Sequence, residues 1–305
     1  MVEPSPENLL VAELNRCRRD LARAEPAGGG LRITALMAGL SIGGALYWSA
    51  DLLWLRACGL AVVSTSETFL LIATHEACHG TLLRNSRLEK VLAAAISWPM
   101  AWPFFSYRLL HQLHHLWNGS DERDPERVNL HSRHPLWSAV AVQAGLGLMA
   151  QIYRAAWELR SVRPRLRQTL RLDVVGVLSV QAVFLSLAIW QGVLLEYLLS
   201  WIVVERLSGG LLQIRGLVEH WGLEQRTQRN PLLIQLYGSR TIKVRPALNW
   251  LLGGLPYHSA HHAYPSVPSE QLPLLTQRIE QTLRTHNHPP LPASENYGQA
   301  IVELL

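Results

Sequence analysis

The composition of this 305-residue chain favours a membrane protein, because 49% of the residues are hydrophobic and only 17% are charged, against about 25% charged in soluble domains. The length allows one large domain or two small ones. The three widely spaced cysteines form no C-x-x-C pair, which argues against a disulfide framework and a thiolate zinc site. The net charge of +5 accompanies no nucleic-acid-binding motif.

Residues 1–30 are predicted to form a cytoplasmic N-terminal tail that ends in three consecutive glycines. Within it, residues 7–24 combine leucines and arginines in a pattern typical of an amphipathic helix at a membrane surface. A partly ordered basic tail explains the same composition. The acidic Glu3 and Glu7 argue against a signal peptide.

Four apolar stretches define a membrane domain that we expect to cover residues 31–275. They are residues 33–50, 52–74, 174–190 and 193–204, the last with an extension towards Ile214. A transmembrane helix needs about 20 residues. We therefore predict an all-α integral membrane fold with four transmembrane helices in two hairpins, a cytoplasmic histidine-rich cap and interfacial helices.

The arginines give this fold an orientation. The outer turns of both hairpins are short, at residues 49–51 and 191–192, whereas arginines crowd the opposite ends of the apolar stretches. The positive-inside rule places those ends, both termini and the histidine motifs on the cytoplasmic side. We expect a multi-pass protein of the bacterial inner membrane.

Two further apolar runs are predicted to be interfacial or re-entrant. Residues 91–105 are broken by Pro99 and Pro103, and residues 136–152 are diluted by Gln143 and several small residues. Residues 276–305 are predicted to form a C-terminal cytoplasmic tail.

The most informative signal is the spacing of the histidines. The pattern H-x-x-H-H is expected by chance roughly 0.02 times in a chain of this histidine content, yet it occurs twice. An H-x-x-x-H pair precedes the first copy, and one further histidine follows the fourth apolar stretch. The candidate metal ligands and catalytic residues are His75, His79, His111, His114, His115, His220, His258, His261 and His262.

The spacing predicts how these side chains face a metal. On a helix, His75 and His79 share one face and can approach one ion. In H-x-x-H-H we expect the first two histidines to share a face and the third, about 100° around, to reach a neighbouring ion. One ion takes roughly four to six ligands, so eight or nine histidines predict two ions. Imidazole suits Zn, Cu, Fe and Ni, and a redox role favours iron or copper.

These motifs resemble the histidine boxes of the membrane fatty acid desaturase and hydroxylase family. The similarity covers residues 33–275 and includes Asp124-Pro125 after the second box and the R-x-x-x-E-H element from Arg215 to His220. The resemblance implies two irons held by the nine histidines, O2 as co-substrate, an external electron donor and no other cofactor. It also implies removal of hydrogen from an unactivated C–H bond of a fatty acyl chain carried by a lipid, coenzyme A or acyl-carrier protein.

Two positions depart from family subgroups. Gly216 stands where stearoyl-type animal members carry an asparagine, so a water-held asparagine ligand is not expected. The third box begins with His258 rather than the glutamine of front-end desaturases, which argues against that subgroup and its fused cytochrome b5 domain. We therefore expect a ferredoxin or rubredoxin to dock on the basic cytoplasmic face as electron donor.

Several functions fit the same boxes. A fatty acid desaturase is the leading hypothesis, and a hydroxylase, an acetylenase or a carotenoid ketolase/hydroxylase are alternatives on the same scaffold. A non-catalytic membrane metal-binding protein is a distant alternative. A transporter should place ionisable ligands in mid-span, whereas these histidines lie at the ends of the apolar stretches.

Overall fold

The computed structural model describes residues 5–118, 123–126, 132–223 and 228–305. Within these residues the protein is built from helices, with one pair of short strands, β1 (Thr241–Ile242) and β2 (Ala293–Ser294). The helices are α1 (Pro6–Cys17), α2 (Gly29–Ser49), α3 (Leu53–His79), α4 (Ser86–Ser97), α5 (Phe104–Trp117), α6 (Pro135–Ala144), α7 (Gly147–Leu159), α8 (Pro164–Trp190), α9 (Leu194–His220), α10 (Pro231–Tyr237), α11 (Pro246–Leu251), α12 (His258–Ala263), α13 (Leu272–Thr285) and α14 (Tyr297–Val302).

Three helices of the described chain, α2, α3 and α8, are long and apolar enough to cross a membrane. The successive helices α6 and α7, bent by 88° at their junction, form a fourth candidate if the pair is one span. Helix α9, predicted as the fourth span, has 27 residues, but Glu196, Glu205 and Arg206 interrupt its apolar sequence. The integral membrane character is therefore supported, and the four-span topology stays a prediction.

Helices α2 and α3 pack closely along their length, as the first hairpin predicts. Small residues allow this approach: a Cβ on Gly59 would lie 2.7 Å from the carbonyl oxygen of Gly43 and 2.7 Å from the amide nitrogen of Tyr47. Helix α9 packs more extensively against α3, α6 and α7 than against α8. The two helices of the second predicted hairpin, α8 and α9, thus pack less closely than α2 and α3, and α9 packs most extensively against α3.

The apolar run at residues 91–105 folds as two short helices rather than as a span. Helix α4 ends at Ser97, a 3₁₀ turn covers Trp98–Met100, and α5 begins at Phe104. The buried carboxylate of Asp173 on α8 accepts hydrogen bonds from the amides of Phe105 and Ser106 at 3.2 and 2.7 Å. Because these are free amides at a helix N-terminus, Asp173 caps α5 and fixes its direction.

The segments predicted as N- and C-terminal tails pack against each other. Leu10 and Leu14 of α1 share a buried cluster with Leu275, Ile279 and Leu283 of α13. The same cluster includes residues of α10 and α12. The strands β1 and β2 pair in parallel, with Thr241 opposite Ala293. These contacts form a cap that carries the third histidine motif on α12.

Candidate metal centre

The nine histidines predicted as ligands converge on one region, from four helices. His75 and His79 end α3, the second motif lies on α5, His220 ends α9, and the third motif forms α12. Seven of the nine are buried, and His79 and His115 are partly exposed. Residues far apart in sequence are thus brought together where α3, α5 and α9 meet the cap.

The histidines divide into two adjoining groups. The five-histidine group has one ring nitrogen from each member within 4.8 Å of all the others, and it comprises His75, His79, His111, His115 and His261. The four-histidine group consists of two triads whose ligand atoms also lie within 4.8 Å of one another. One triad is His114, His220 and His262, and the other is Glu219, His220 and His258. The rings of His115 and His262 stack at 4.3 Å and join the two groups.

The division corrects one expectation about H-x-x-H-H. The first and third histidines of each motif, not the first two, share a group: His111 with His115, and His258 with His262. The middle histidines, His114 and His261, face the other group. On a helix, residues four apart differ by about 40° in direction and residues three apart by about 60° in the opposite sense. A metal ion on one side of the helix would therefore be bound by the histidines at positions i and i+4, which point in the more similar directions.

Four of the rings are held by hydrogen bonds at Nδ1. His111 Nδ1 lies 2.7 Å from Glu126 Oε1, and His114 Nδ1 lies 2.9 Å from Asp124 Oδ2. His220 Nδ1 lies 3.1 Å from the carbonyl oxygen of Gly238, and His262 Nδ1 lies 3.0 Å from Gln235 Oε1. Such contacts fix the tautomer of a ligating histidine and turn Nε2 towards the ion.

Burial sets the charge of most of these rings. It lowers the pKa of His115, His258, His261 and His262, which favours the neutral imidazole that binds metal. Burial alone would also lower the pKa of His114, but the carboxylates of Asp124 and Glu126 raise it to about 9.

Glu126 is perturbed in the opposite sense. Burial alone would raise the pKa of Glu126, but the neighbouring His111 and His114 lower it to about 2. A carboxylate that is ionised throughout the physiological range is suited to accept a hydrogen bond from His111 Nδ1. The Glu126–His111 contact therefore turns the other ring nitrogen of His111 towards the group.

The donor set fits metal ions. Among the described residues, both ring nitrogens of His75, Nε2 of His79 and Nε2 of His261 are buried without a hydrogen-bond partner. Buried polar atoms are normally satisfied. Facing nitrogens such as His258 Nε2 and His220 Nε2, 2.9 Å apart, would both be satisfied by one metal ion. The ring nitrogens of each group lie close enough together, within 4.8 Å in each set, to hold such an ion.

Several residues around the site were not recognised from sequence. In the sequence, Asp124 stands out only through the resemblance to the desaturase family, and Glu126, two residues later, belongs to no motif. Glu219 Oε2 accepts a hydrogen bond from Arg215 Nη1 at 2.7 Å and lies 3.4 Å from His258 Nε2. Gln235 comes from a part of the chain with no motif, so only the fold reveals its role.

A cavity of about 80 Å³ adjoins both groups. Its walls include His75 and His111 of the five-histidine group and His114, His220 and His258 of the four-histidine group. The remaining wall is largely apolar and includes Leu71, Ile72, Leu148, Ile152 and Leu217. An apolar chain in this cavity would lie beside both groups and away from bulk water.

A family model for fatty acid desaturases matches residues 52–292, which is more than half of the chain. The chain belongs to the fatty acid desaturase family. Membership places it in a family of oxidoreductases, consistent with the arrangement of the histidine boxes.

Curated members of this family resemble the chain at low identity. The human sphingolipid delta(4)-desaturase/C4-monooxygenase DES2 is 27% identical over 237 residues, which are 75% of this chain and 66% of that protein. A fatty acid desaturase of Bacillus subtilis is 21% identical over 252 residues, 77% and 71% of the two chains. The sn-1 oleoyl-lipid 12-desaturase of Picosynechococcus is 20% identical over 235 residues, 72% and 67% of the two chains. The matched part is slightly under two thirds of the human protein.

Proposed function

We propose that the protein is an O2-dependent membrane diiron oxidase that acts on an unactivated C–H bond of a fatty acyl chain, as a fatty acid desaturase. The observation that carries this proposal is a largely apolar cavity whose wall includes histidines of both groups. The acyl chain would be bound to a lipid, coenzyme A or an acyl-carrier protein.

The nine histidines are the proposed ligands of two irons, one in each group. When bound, such a centre supplies the redox chemistry that activates O2 with two electrons and removes hydrogen from an alkyl chain. The chain's own residues position the reaction. Glu126 and Asp124 orient His111 and His114, and the apolar walls at Leu71, Ile152 and Leu217 hold the substrate and exclude water.

We propose that the site opens on the cytoplasmic side of a bacterial inner membrane. Residues 31–275 would form the membrane domain, and residues 1–30 and 276–305 would lie on the cytoplasmic side. Exposed arginines support this orientation. Two follow the histidine-bearing end of α3, namely Arg84 and Arg87, and four lie at the start of α8, namely Arg163, Arg165, Arg167 and Arg171. A ferredoxin or rubredoxin would dock on this basic face and deliver electrons.

Hydroxylation is the second candidate outcome on this scaffold. The name of the human relative joins a desaturase and a C4-monooxygenase, so both outcomes are ascribed to that protein. Removal of a second hydrogen gives an alkene, whereas transfer of oxygen gives an alcohol. Acetylene formation and carotenoid oxidation remain further alternatives that product analysis separates.

The test is metal content and lipid profile of the purified protein after expression in a host with a simple fatty acid pool. We expect about two irons per chain and a new double bond or hydroxyl group. The His261→Ala variant should lose the product, and the His134→Ala variant, changed at an exposed histidine outside both groups, should retain it. One zinc ion, or no metal, would overturn the proposal.

A further inference from the structure

The cavity beside the histidines contains polar groups that a plain hydrocarbon chain cannot satisfy. Trp102 and Gln213 line it, with exposed fractions of 6% and 5%. Within the described part of the chain, Trp102 Nε1 and Gln213 Nε2 have no hydrogen-bond partner. Both are N–H donors. Burying unpaired donors is unfavourable, so they indicate a ligand with a polar atom.

Both side chains are held in place by their neighbours. Gln213 Oε1 accepts a hydrogen bond of 2.8 Å from Gln143 Nε2, which leaves the Gln213 amino group as the unpaired end of the side chain. The Trp102 ring contacts Tyr107 edge-on at 5.0 Å, and Tyr107 stacks on His111 at 5.5 Å. These contacts connect the polar position to the five-histidine group through packed rings.

Two carboxylates lie in the wall of an adjoining cavity. A second, smaller cavity shares Leu71, Trp102 and Leu212 with the first. Its wall includes Glu67 and Glu205. Trp102 therefore borders both cavities, and the second cavity adds two carboxylates to a mainly apolar wall.

We propose that the substrate is an acyl chain that carries a hydroxyl group, and that Gln213 and Trp102 recognise this hydroxyl. A hydroxyl oxygen can accept hydrogen bonds from N–H donors, and its hydrogen can be donated to a carboxylate such as those in the wall of the adjoining cavity. Gln213 lies seven residues before His220 on α9, about 10 Å along the helix axis. The hydroxyl thus lies at a distance from the reacting carbon. This inference rests on the proposed function and specifies its substrate.

The test is competition for binding to the metal-loaded, detergent-purified protein. Labelled palmitic acid is displaced by unlabelled palmitic acid or by each member of a positional series of monohydroxypalmitic acids. We expect at least one hydroxy acid to compete about tenfold more strongly than palmitic acid, because only the hydroxyl pairs the buried donors. Binding is read directly, so turnover is not required.

Variants test whether Gln213 and Trp102 cause the preference for a hydroxy acid over palmitic acid. Gln213→Met keeps the length of the side chain and removes its donors, and it should reduce the preference to within about twofold. Trp102→Phe should weaken it in the same direction. Leu212→Met, a neighbouring cavity residue without polar atoms, should leave it unchanged. Thermal unfolding and metal content of each variant identify any that is misfolded.

The outcomes separate the two proposals. If palmitic acid binds as tightly as every hydroxy acid, the hydroxyl inference is overturned and the acyl-chain assignment stands. If Gln213→Met and Trp102→Phe fold and keep the full preference, recognition by these two residues is overturned. If neither palmitic acid nor any hydroxy acid binds, the hydroxyl inference is overturned, and the metal content and lipid profile described above decide the acyl-chain assignment separately.

Discussion

The two histidine groups differ in how their rings are held. In the four-histidine group, three rings have a hydrogen-bond partner at Nδ1, namely Asp124, the Gly238 carbonyl and Gln235. In the five-histidine group, within the described residues, only His111 has such a partner, Glu126. The four-histidine group is therefore preorganised by its surroundings, whereas the five-histidine group depends on the positions of its helices.

This difference follows from where the groups lie. The four-histidine group is covered by the cap, in which helix α10 supplies Gln235 and the residue after it, Gly238, supplies a backbone carbonyl. The five-histidine group receives two histidines from the end of α3, a helix long and apolar enough to cross a membrane. Apolar helix ends offer few hydrogen-bond partners, so helix packing must replace them. Three sets of substitutions test this comparison, in order of decreasing expected effect.

The largest effect is expected from two adjacent residues of α12. His261→Ala and His262→Ala remove ligands of different groups, and each should reduce activity by more than the 10- to 100-fold typical of losing an outer hydrogen-bond partner. Iron content should fall to about one per chain in each variant. Double variants with His79→Ala distinguish the two groups. His79→Ala/His261→Ala removes two ligands of the five-histidine group and should keep about one iron, whereas His79→Ala/His262→Ala removes one ligand from each group and should keep almost none. Equal iron content in both double variants would contradict the division into groups.

The second effect concerns the anchoring of α3. Glu76, between His75 and His79, forms a buried ion pair with Arg32 of α2, and Arg32 Nη1 also donates to the carbonyl of Trp250 at 3.1 Å. Arg32→Met leaves the Glu76 charge buried and unpaired, which should destabilise the protein by about 3–5 kcal/mol. Unfolding in detergent measures this loss. The double variant Arg32→Met/Glu76→Met should recover most of it, and no recovery would show that the ion pair is not the cause.

The smallest effect is expected from Glu126 and Asp124, the carboxylates that contact Nδ1 of His111 and His114. Glu126→Gln and Asp124→Asn should each weaken metal binding, within the range of about 10- to 100-fold. Glu126→Gln should have the larger effect, because it removes the sole Nδ1 partner that the described residues give the five-histidine group. Metal affinity is measured by competition with a chelator, with the exposed Glu158→Gln as control. A larger effect of Asp124→Asn would reverse the comparison.

Sequence periodicity predicted the helical fold, the α2–α3 hairpin and the nine histidines that the structure brings together. Their role as ligands stays a prediction. The division of each H-x-x-H-H motif was predicted wrongly, because directions 40° and 60° away differ too little to decide without knowing where the metal lies. The bend between α6 and α7 and the packing of α1 on α13 depend on long-range contacts. Gln235 and Trp102 belong to no motif, so their positions near the histidines required the structure.

The placement of the third motif on the cap has a consequence for biosynthesis. Both groups need α12, and α12 packs against α13, so neither group is complete while the ribosome is still making the cap. His75 precedes His262 by 187 positions, and at roughly 5–20 residues per second the first histidines wait roughly 10–40 s for the last. Under the proposed ligand assignment, α3 would therefore enter the bilayer with an incomplete site. Loading with metal would follow translation, and it would stabilise the contact between α3 and α12.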